Sequence, residues 1–303
     1  MKYLAVNLAT RGRPELAYRT AVKTMENISL PDTRFMISLD DDDEASLKFF
    51  DRSSLPLYRC DLVGVKTRED STGEKFNRVL SSFPDADLYV PMVDYVAQIT
   101  PGWDAKFLEA VELFPDGIGV VCNHLANASF PFTMGATRKL VEKTGFLFPP
   151  YFPYWFVDHW LDSIARLLNR YSFADTHVEI YRRPVEPGAH PTMEYREIEF
   201  WSAFFDTGYY ARRQCALNII DSPDFTEPEW RKNQLRRNFP LIETRDFWIN
   251  KTLRDATPPT VSPGLGDDRY WRLRDRAVAL SKIWLGEIRA AGVDKAGVLS
   301  YGL

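Results

Sequence analysis

Cysteine and histidine are scarce in this chain, and their scarcity narrows its chemistry. Cys60, Cys122 and Cys215 are the only three cysteines in 303 residues, and they stand far apart. An odd, scattered set is neither a disulfide framework nor a zinc site, and it suits a reducing compartment. The four histidines form no spaced ligand pattern. No strong charge of one sign is present either. The formal net charge is -4, so a polyanion such as nucleic acid is not the default partner. Long apolar runs are also missing. The opening MKYLAVNLA reaches Thr10 and Arg11 after too few residues for a signal core or a membrane span, and it reads as a strand. The expectation is a cytoplasmic chain without a transmembrane segment.

What the chain does have is alternation. Short apolar runs alternate with amphipathic stretches through the first half, the pattern of βαβ units and a mostly parallel sheet. Tyr3 to Leu8, Arg34 to Leu39, Leu57 to Val63, Asp87 to Val93, Ile118 to Cys122 and His177 to Tyr181 read as strands. Pro91 inside the fourth run predicts an edge position or a bulge. Pro14 suits the first turn of a helix running to about Met25, and further helices are expected near Gly73, after Trp103 and around Asp158. After Pro184, Pro187 and Pro191 the chain turns helical and rich in Arg and Trp. The expected organisation is a domain over residues 1–183 followed by a helical region over 184–303.

Ligands of open α/β sheets bind at the carboxyl ends of the strands, so polar clusters that follow a strand or open a helix are the candidates. Thr10-Arg11-Gly12-Arg13-Pro14 follows the first strand. It is either an anion site built from backbone N–H groups and two arginines or a solvated turn ahead of a Pro-started helix. The acidic run Asp40 to Glu44 follows the second strand. Its first carboxylates can grip ribose or base, and the others cap the next helix. Lys75 and Arg78 share a helix face, with Asn77 off it. Asp94 follows the fourth strand, as a ligand for a divalent ion or as a cap of the turn behind it.

These clusters carry a family resemblance. AVNLATRGRPELA, FMISLDDDD, GEKFNRVLSSFPDADLYVPMVDYVAQITPGWD and GIGVVCN, in this order, resemble the nucleotide-sugar domain of GT-A-fold glycosyltransferases of the large bacterial and phage inverting type. The stretch TMGATRKLVEKTGFLFPPYF…FVDHWLDSIARLLNR resembles their acceptor-side segment, and the likeness spans residues 1–182.

The resemblance implies an α/β GT-A-like fold, a mixed and mostly parallel sheet flanked by helices. It also implies a hexosyltransferase-like activity that takes its sugar from a nucleoside diphosphate donor. Thr10, Arg11 and Arg13 would line the nucleotide pocket, Asp40 would contact base or ribose, and Lys75 and Asn77 would lie near base and diphosphate. Asp94 falls at the metal motif, where Mn2+ or Mg2+ is the implied cofactor, and Asp158 at the general base. The chain departs from the pattern at Val93, Tyr95 and Val157, where acids are usual. The family's histidine after the last strand has no clear counterpart among His177, Tyr181 and His190. A metal-independent enzyme, or a non-catalytic binding or assembly protein with a degraded metal motif, is the alternative.

Other side chains have two readings each. His124 is a pocket residue or a structural one. His159 sits beside Asp158, although neighbours on a helix do not share a face; Asp162, four residues from Asp158 and on its face, is a second acid near the pocket or, by preference, a plain surface charge. The aromatic stretch Phe146 to Phe156 is an acceptor loop or a plug over the core. The C-terminal Arg and Trp residues form either solvated helix faces with aromatic anchors or a surface for an anionic acceptor, a lipid or a second copy of the chain in a homo-oligomer.

Overall fold

The computed structural model describes residues 2–52, 60–123, 131–181, 198–239 and 268–290. They divide into two compact units. One is drawn from Met1–Glu69, Glu74–Leu147 and Arg170–His190, the other from Asp70–Gly73, Phe148–Asn169 and Pro191–Leu303. Both units are discontinuous in sequence, whereas the sequence reading divided the chain once, near residue 184.

The first unit is built on a seven-stranded sheet. Its elements are β1 (Leu4–Ala9), α1 (Pro14–Glu26), β2 (Arg34–Asp40), α2 (Glu44–Arg52), β3 (Leu62–Lys66), α3 (Thr72–Ser82), β4 (Leu88–Val93), β5 (Val96–Gln98), α4 (Trp103–Val111), β6 (Val120–Asn123), β7 (Met134–Thr137) and α5 (Arg138–Thr144). After α6 (Val157–Leu168) the chain adds β8 (Tyr171–Ala174) and β9 (Val178–Ile180). The strand order is β3-β2-β1-β4-β7-β6-β8, and β5 and β9 form a separate pair. β7 is antiparallel to β4 and β6; the other pairs in the large sheet are parallel. This is the mixed, mostly parallel sheet flanked by helices that the sequence implied.

β1 shows why these runs become strands. Its residues LAVNLA are buried almost throughout, because helices cover both faces, so the run is continuously apolar rather than alternating. α1 starts with Pro14 in its first turn and buries Ala17, Thr20, Ala21, Thr24 and Met25. Those positions form the stripe that packs on the sheet. The core beneath joins Val6 and Leu8 of β1, Phe35 and Ile37 of β2, and Val90 and Met92 of β4 to Trp103 and Phe107 of α4.

Two strand expectations need correction. The third strand lies at Leu62–Lys66 rather than Leu57–Val63; residues 53–59 are outside the described set. It is the edge of the sheet and half exposed, so its apolar signal is weak. Pro91 belongs to β4, an interior strand opposite Asn7 of β1. On β4, β7 pairs with Leu88 and Tyr89, so at Pro91 one flank of β4 has no strand beside it among the described residues. A missing N–H is tolerated at such an edge-like position.

The second unit contains α6, α7 (Ile198–Thr207), α8 (Tyr209–Asp221), a helical segment α9 over 229–239 and α10 (Asp268–Ala290). Its core is aromatic. Phe152 lies 5.0 Å from the Phe204 ring and 6.0 Å from both Trp160 and Trp201, and Trp284 stacks on Phe204 at 5.3 Å. Phe148, Phe152 and Phe156 are buried, so these rings of the aromatic stretch are a plug, while Tyr154 and Trp155 are half-buried. Trp284 is an anchor, whereas Trp230 is exposed; Trp248 lies outside the described residues.

Candidate functional site

β1 and β4 are neighbours, yet β1 leads to β2 on one side while β4 lies on the other, which makes their carboxyl ends the topological switch point of the sheet. The pairing of Ala9 with Val93 sets the next residues, Thr10 and Asp94, side by side. The Thr10 hydroxyl donates to Asp94 Oδ2 at 2.8 Å, and Arg13 Nη2 lies 2.8 Å from Asp94 Oδ1. Thr20 of α1 donates to the Asp94 carbonyl at 2.8 Å, fixing the turn. Asp94 is buried, 1% exposed.

A second cluster forms at the end of β2. Asp40 Oδ2 accepts from Lys75 Nζ at 2.9 Å, and Asp40 Oδ1 from Arg78 Nη2 at 3.2 Å. Arg11 Nη1 approaches Asp40 Oδ2 at 3.3 Å. Lys75 also donates to the Thr10 carbonyl at 2.6 Å, and so joins the two clusters. Burial pulls the Lys75 ammonium below its ordinary value, against the opposing pull of Asp40. Asn7 of β1 donates to the carbonyls of Lys75 and Phe76 and accepts from Ser38, which pins the start of α3 to the sheet.

The remaining acids of the run after β2 divide the work. Asp42 holds Arg11 through both guanidinium nitrogens. Asp43 accepts from Gly12 N at 2.8 Å and from Ser46 N at 3.3 Å, and so caps α2 while holding the loop after β1. Among the sequence candidates, the structure therefore brings together Thr10, Arg11, Arg13, Asp40, Lys75 and Asp94. Asn77 is elsewhere, its Oδ1 accepting from Leu147 N at 3.0 Å. Sequence reasoning passed over Asn7 and Glu69; Glu69 receives Arg78 Nε at 2.7 Å. A polar Asn inside an apolar strand was the available signal.

Asp158 belongs to the second unit, in the first turn of α6. Its Oδ1 accepts from the His159 backbone N–H at 2.9 Å and lies 2.9 Å from His159 Nδ1. The expectation that helix neighbours do not meet is thus corrected, since a side chain in the first turn folds back on the free N–H groups there. Loss of water around it pushes the Asp158 carboxyl up, but the charge of His159 and its hydrogen bonds outweigh this and leave it below the ordinary carboxylate value. The side chain remains 41% exposed. Asp162 is not a surface charge; it is buried and paired with Arg166 Nε at 2.6 Å. His177 is exposed, and Tyr181 packs under Arg19, 3.9 Å from ring centroid to guanidinium carbon. His124 and His190 lie outside the described residues.

The residues around Asp94 fit a divalent ion poorly. Hard cations need more than one anionic ligand, but here a single carboxylate faces a guanidinium at one oxygen and a hydroxyl donor at the other. Among the described residues no three His, Cys, Asp or Glu side chains converge on a metal position. A separate cleft of about 400 Å3 is lined by Tyr18, Arg19, Val22, Lys23, Glu26, Glu179 and Tyr181 and includes none of the residues of this cluster.

No family model matches the sequence, and no curated protein matches it in sequence. Solved structures do match in shape. S. aureus TarS 1–349 in complex with UDP-GlcNAc superposes with a TM-score of 0.52 at 13% identity, over 81% of this chain and 73% of that one. The same protein without the ligand gives 0.53 at 12% identity, over 93% and 81%. A further structure of S. aureus TarS gives 0.50 at 13% identity, over 98% of this chain and 54% of that one. At such identities the likeness speaks for architecture alone. The chain has a GT-A-like α/β fold.

Proposed function

We propose that the chain is a glycosyltransferase that moves a hexosyl group from a nucleoside diphosphate sugar to an acceptor hydroxyl, with inversion. One observation carries this reading. The adjacent strands β2, β1 and β4 deliver Asp40, Thr10 and Asp94, with Arg11, Arg13 and Lys75, to the switch point of a GT-A sheet. TarS, with the same architecture, was solved with UDP-GlcNAc. In this reading Thr10, Arg11 and Arg13 line the nucleotide pocket, Asp40 meets base or ribose, and Lys75 lies by the diphosphate. Asn77 acts at one remove by holding Leu147.

Asp158 is the proposed base. In this reading its carboxylate, in the first turn of α6, takes the proton from the acceptor hydroxyl. The acceptor oxygen then attacks the anomeric carbon, the bond from that carbon to the diphosphate oxygen breaks, and the nucleoside diphosphate leaves. Charge growing on the leaving phosphate is met by the guanidinium groups. A single displacement of this kind inverts the anomeric centre. The region over 184–303 is assigned to the acceptor side or to a homo-oligomer. Three free cysteines and the absence of any membrane-length apolar helix among the described residues suit a cytoplasmic location.

A thermal melting screen against UDP, GDP and their sugars, with and without Mn2+, tests the reading. A saturable rise in Tm with at least one of them is expected, and no rise under any condition defeats it. The Asp158→Asn variant should keep that rise and lose transfer. A second reading, a binding or assembly protein without activity, draws on the engagement of both Asp94 oxygens by the chain's own donors. Turnover of any nucleotide sugar by the purified protein rules it out.

A further inference from the structure

We propose that Arg13 takes the place of a divalent ion, so that this site binds a diphosphate without metal. The inference rests on the nucleotide-sugar reading only for the choice of ligand; the anion site itself stands on the geometry at Asp94.

Three observations converge. Arg13 Nη2 lies 2.8 Å from Asp94 Oδ1, so the position facing the carboxylate is already held by a fixed positive charge. A guanidinium cannot lose its proton in a protein and is not displaced by competing for lone pairs. Thr10 then occupies the other carboxylate oxygen. Second, Arg13 Nε and Nη1 are shielded from solvent and have no hydrogen-bond acceptor among the described residues. A guanidinium with five donors and so few acceptors is built for more anion than Asp94 supplies. Third, the Arg13 side chain keeps 20% of its surface, so it is not sealed within the fold, and a small shift would offer acceptors to the covered donors. Asp94 thus serves as the resident counter-charge of Arg13 rather than as a metal ligand.

The test is calorimetric titration of the full chain with UDP, uridine and inorganic pyrophosphate, in EDTA and then in Mn2+. UDP should bind in EDTA, with an affinity that Mn2+ changes by less than about threefold. Arg13→Gln should weaken UDP and pyrophosphate by about tenfold or more and leave uridine unchanged, since a charge-assisted contact to phosphate is lost. Asp94→Asn should tighten UDP binding in EDTA, because it removes the anion that competes for Arg13. The double variant, with neither charge, keeps a neutral interior and should reproduce the loss if Arg13→Gln alone folds poorly.

Pyrophosphate bound through Arg13 without any nucleotide binding would end the nucleotide-sugar reading and leave the anion site standing. Binding of UDP only with Mn2+, its loss in Asp94→Asn, or no binding of UDP or pyrophosphate in EDTA would each overturn the inference.

Discussion

Lys75 Nζ lies 2.9 Å from Asp40 Oδ2, and the same ammonium donates to the carbonyl of Thr10. One buried cation on α3 therefore ties the ends of β1 and β2 together. Arg78, one turn on, takes the other oxygen of Asp40. Removing the carboxylate leaves the buried Lys75 short of its counter-charge, while Arg78 keeps Glu69. Asp40→Asn should cost about 3–5 kcal/mol of stability. Lys75→Met should cost less, because Arg78 and Arg11 still neutralise Asp40. Urea unfolding of both variants checks the order; an equal or reversed order contradicts the account.

Asp104 makes a different kind of lock. Buried in the first turn of α4, its carboxylate accepts from Ser29 N, Ser29 Oγ, Leu30 N and Thr33 Oγ1 at 2.7–3.1 Å. Those donors belong to the connection between α1 and β2, so one side chain fixes the approach to the second strand. Asp104→Ala orphans four donors and should destabilise by about 3 kcal/mol or more. A drop in the denaturation midpoint at unchanged m-value would report it.

The contact of Asp158 with His159 predicts a pH signature. The folded pKa of Asp158 is below the unfolded value, so its contribution to stability is complete above the unfolded value of about 4. That contribution is lost as pH falls through the lower, folded value. Carboxyl NMR should find Asp158 ionised where ordinary aspartates are already protonating. In His159→Gln its titration should move upward, and an unmoved titration would remove His159 as the cause.

The thiols offer a check on packing. Burial raises both Cys60 and Cys215 to about 11, so neither is appreciably a thiolate near neutrality. Cys122 is fully buried. Iodoacetamide at pH 8 should label the native chain slowly and all three cysteines quickly in urea. Rapid labelling of Cys60 in the native state would contradict its burial.

Much of the molecule is written locally. The continuous apolar runs of β1, β2 and β4 are legible because strands covered on both faces bury every residue. Pro14, Glu15 and the stripe from Ala17 to Met25 announce α1. The three-residue spacing of Lys75 and Arg78 announces their common face, which Asp40 then uses. Short strands were not legible. β7, MGAT, is four small or flexible residues, and its antiparallel place between β4 and β6 depends wholly on partners distant in sequence.

The sequence by itself determined β1, β2, β4 and α1, the placement of polar clusters behind β1, β2 and β4, and the isolation of Asp94 between Val93 and Tyr95. Only the tertiary structure decided that Asp94 faces Arg13, that Asp162 is buried, that Asn77 supports Leu147, and that Pro91 sits in an interior strand beyond the reach of β7. The reason is physical. Periodicity and capping are local properties of the backbone, whereas the partner of a charge is set by strand register, and the register of Ala9 against Val93 is what brings Arg13 to Asp94.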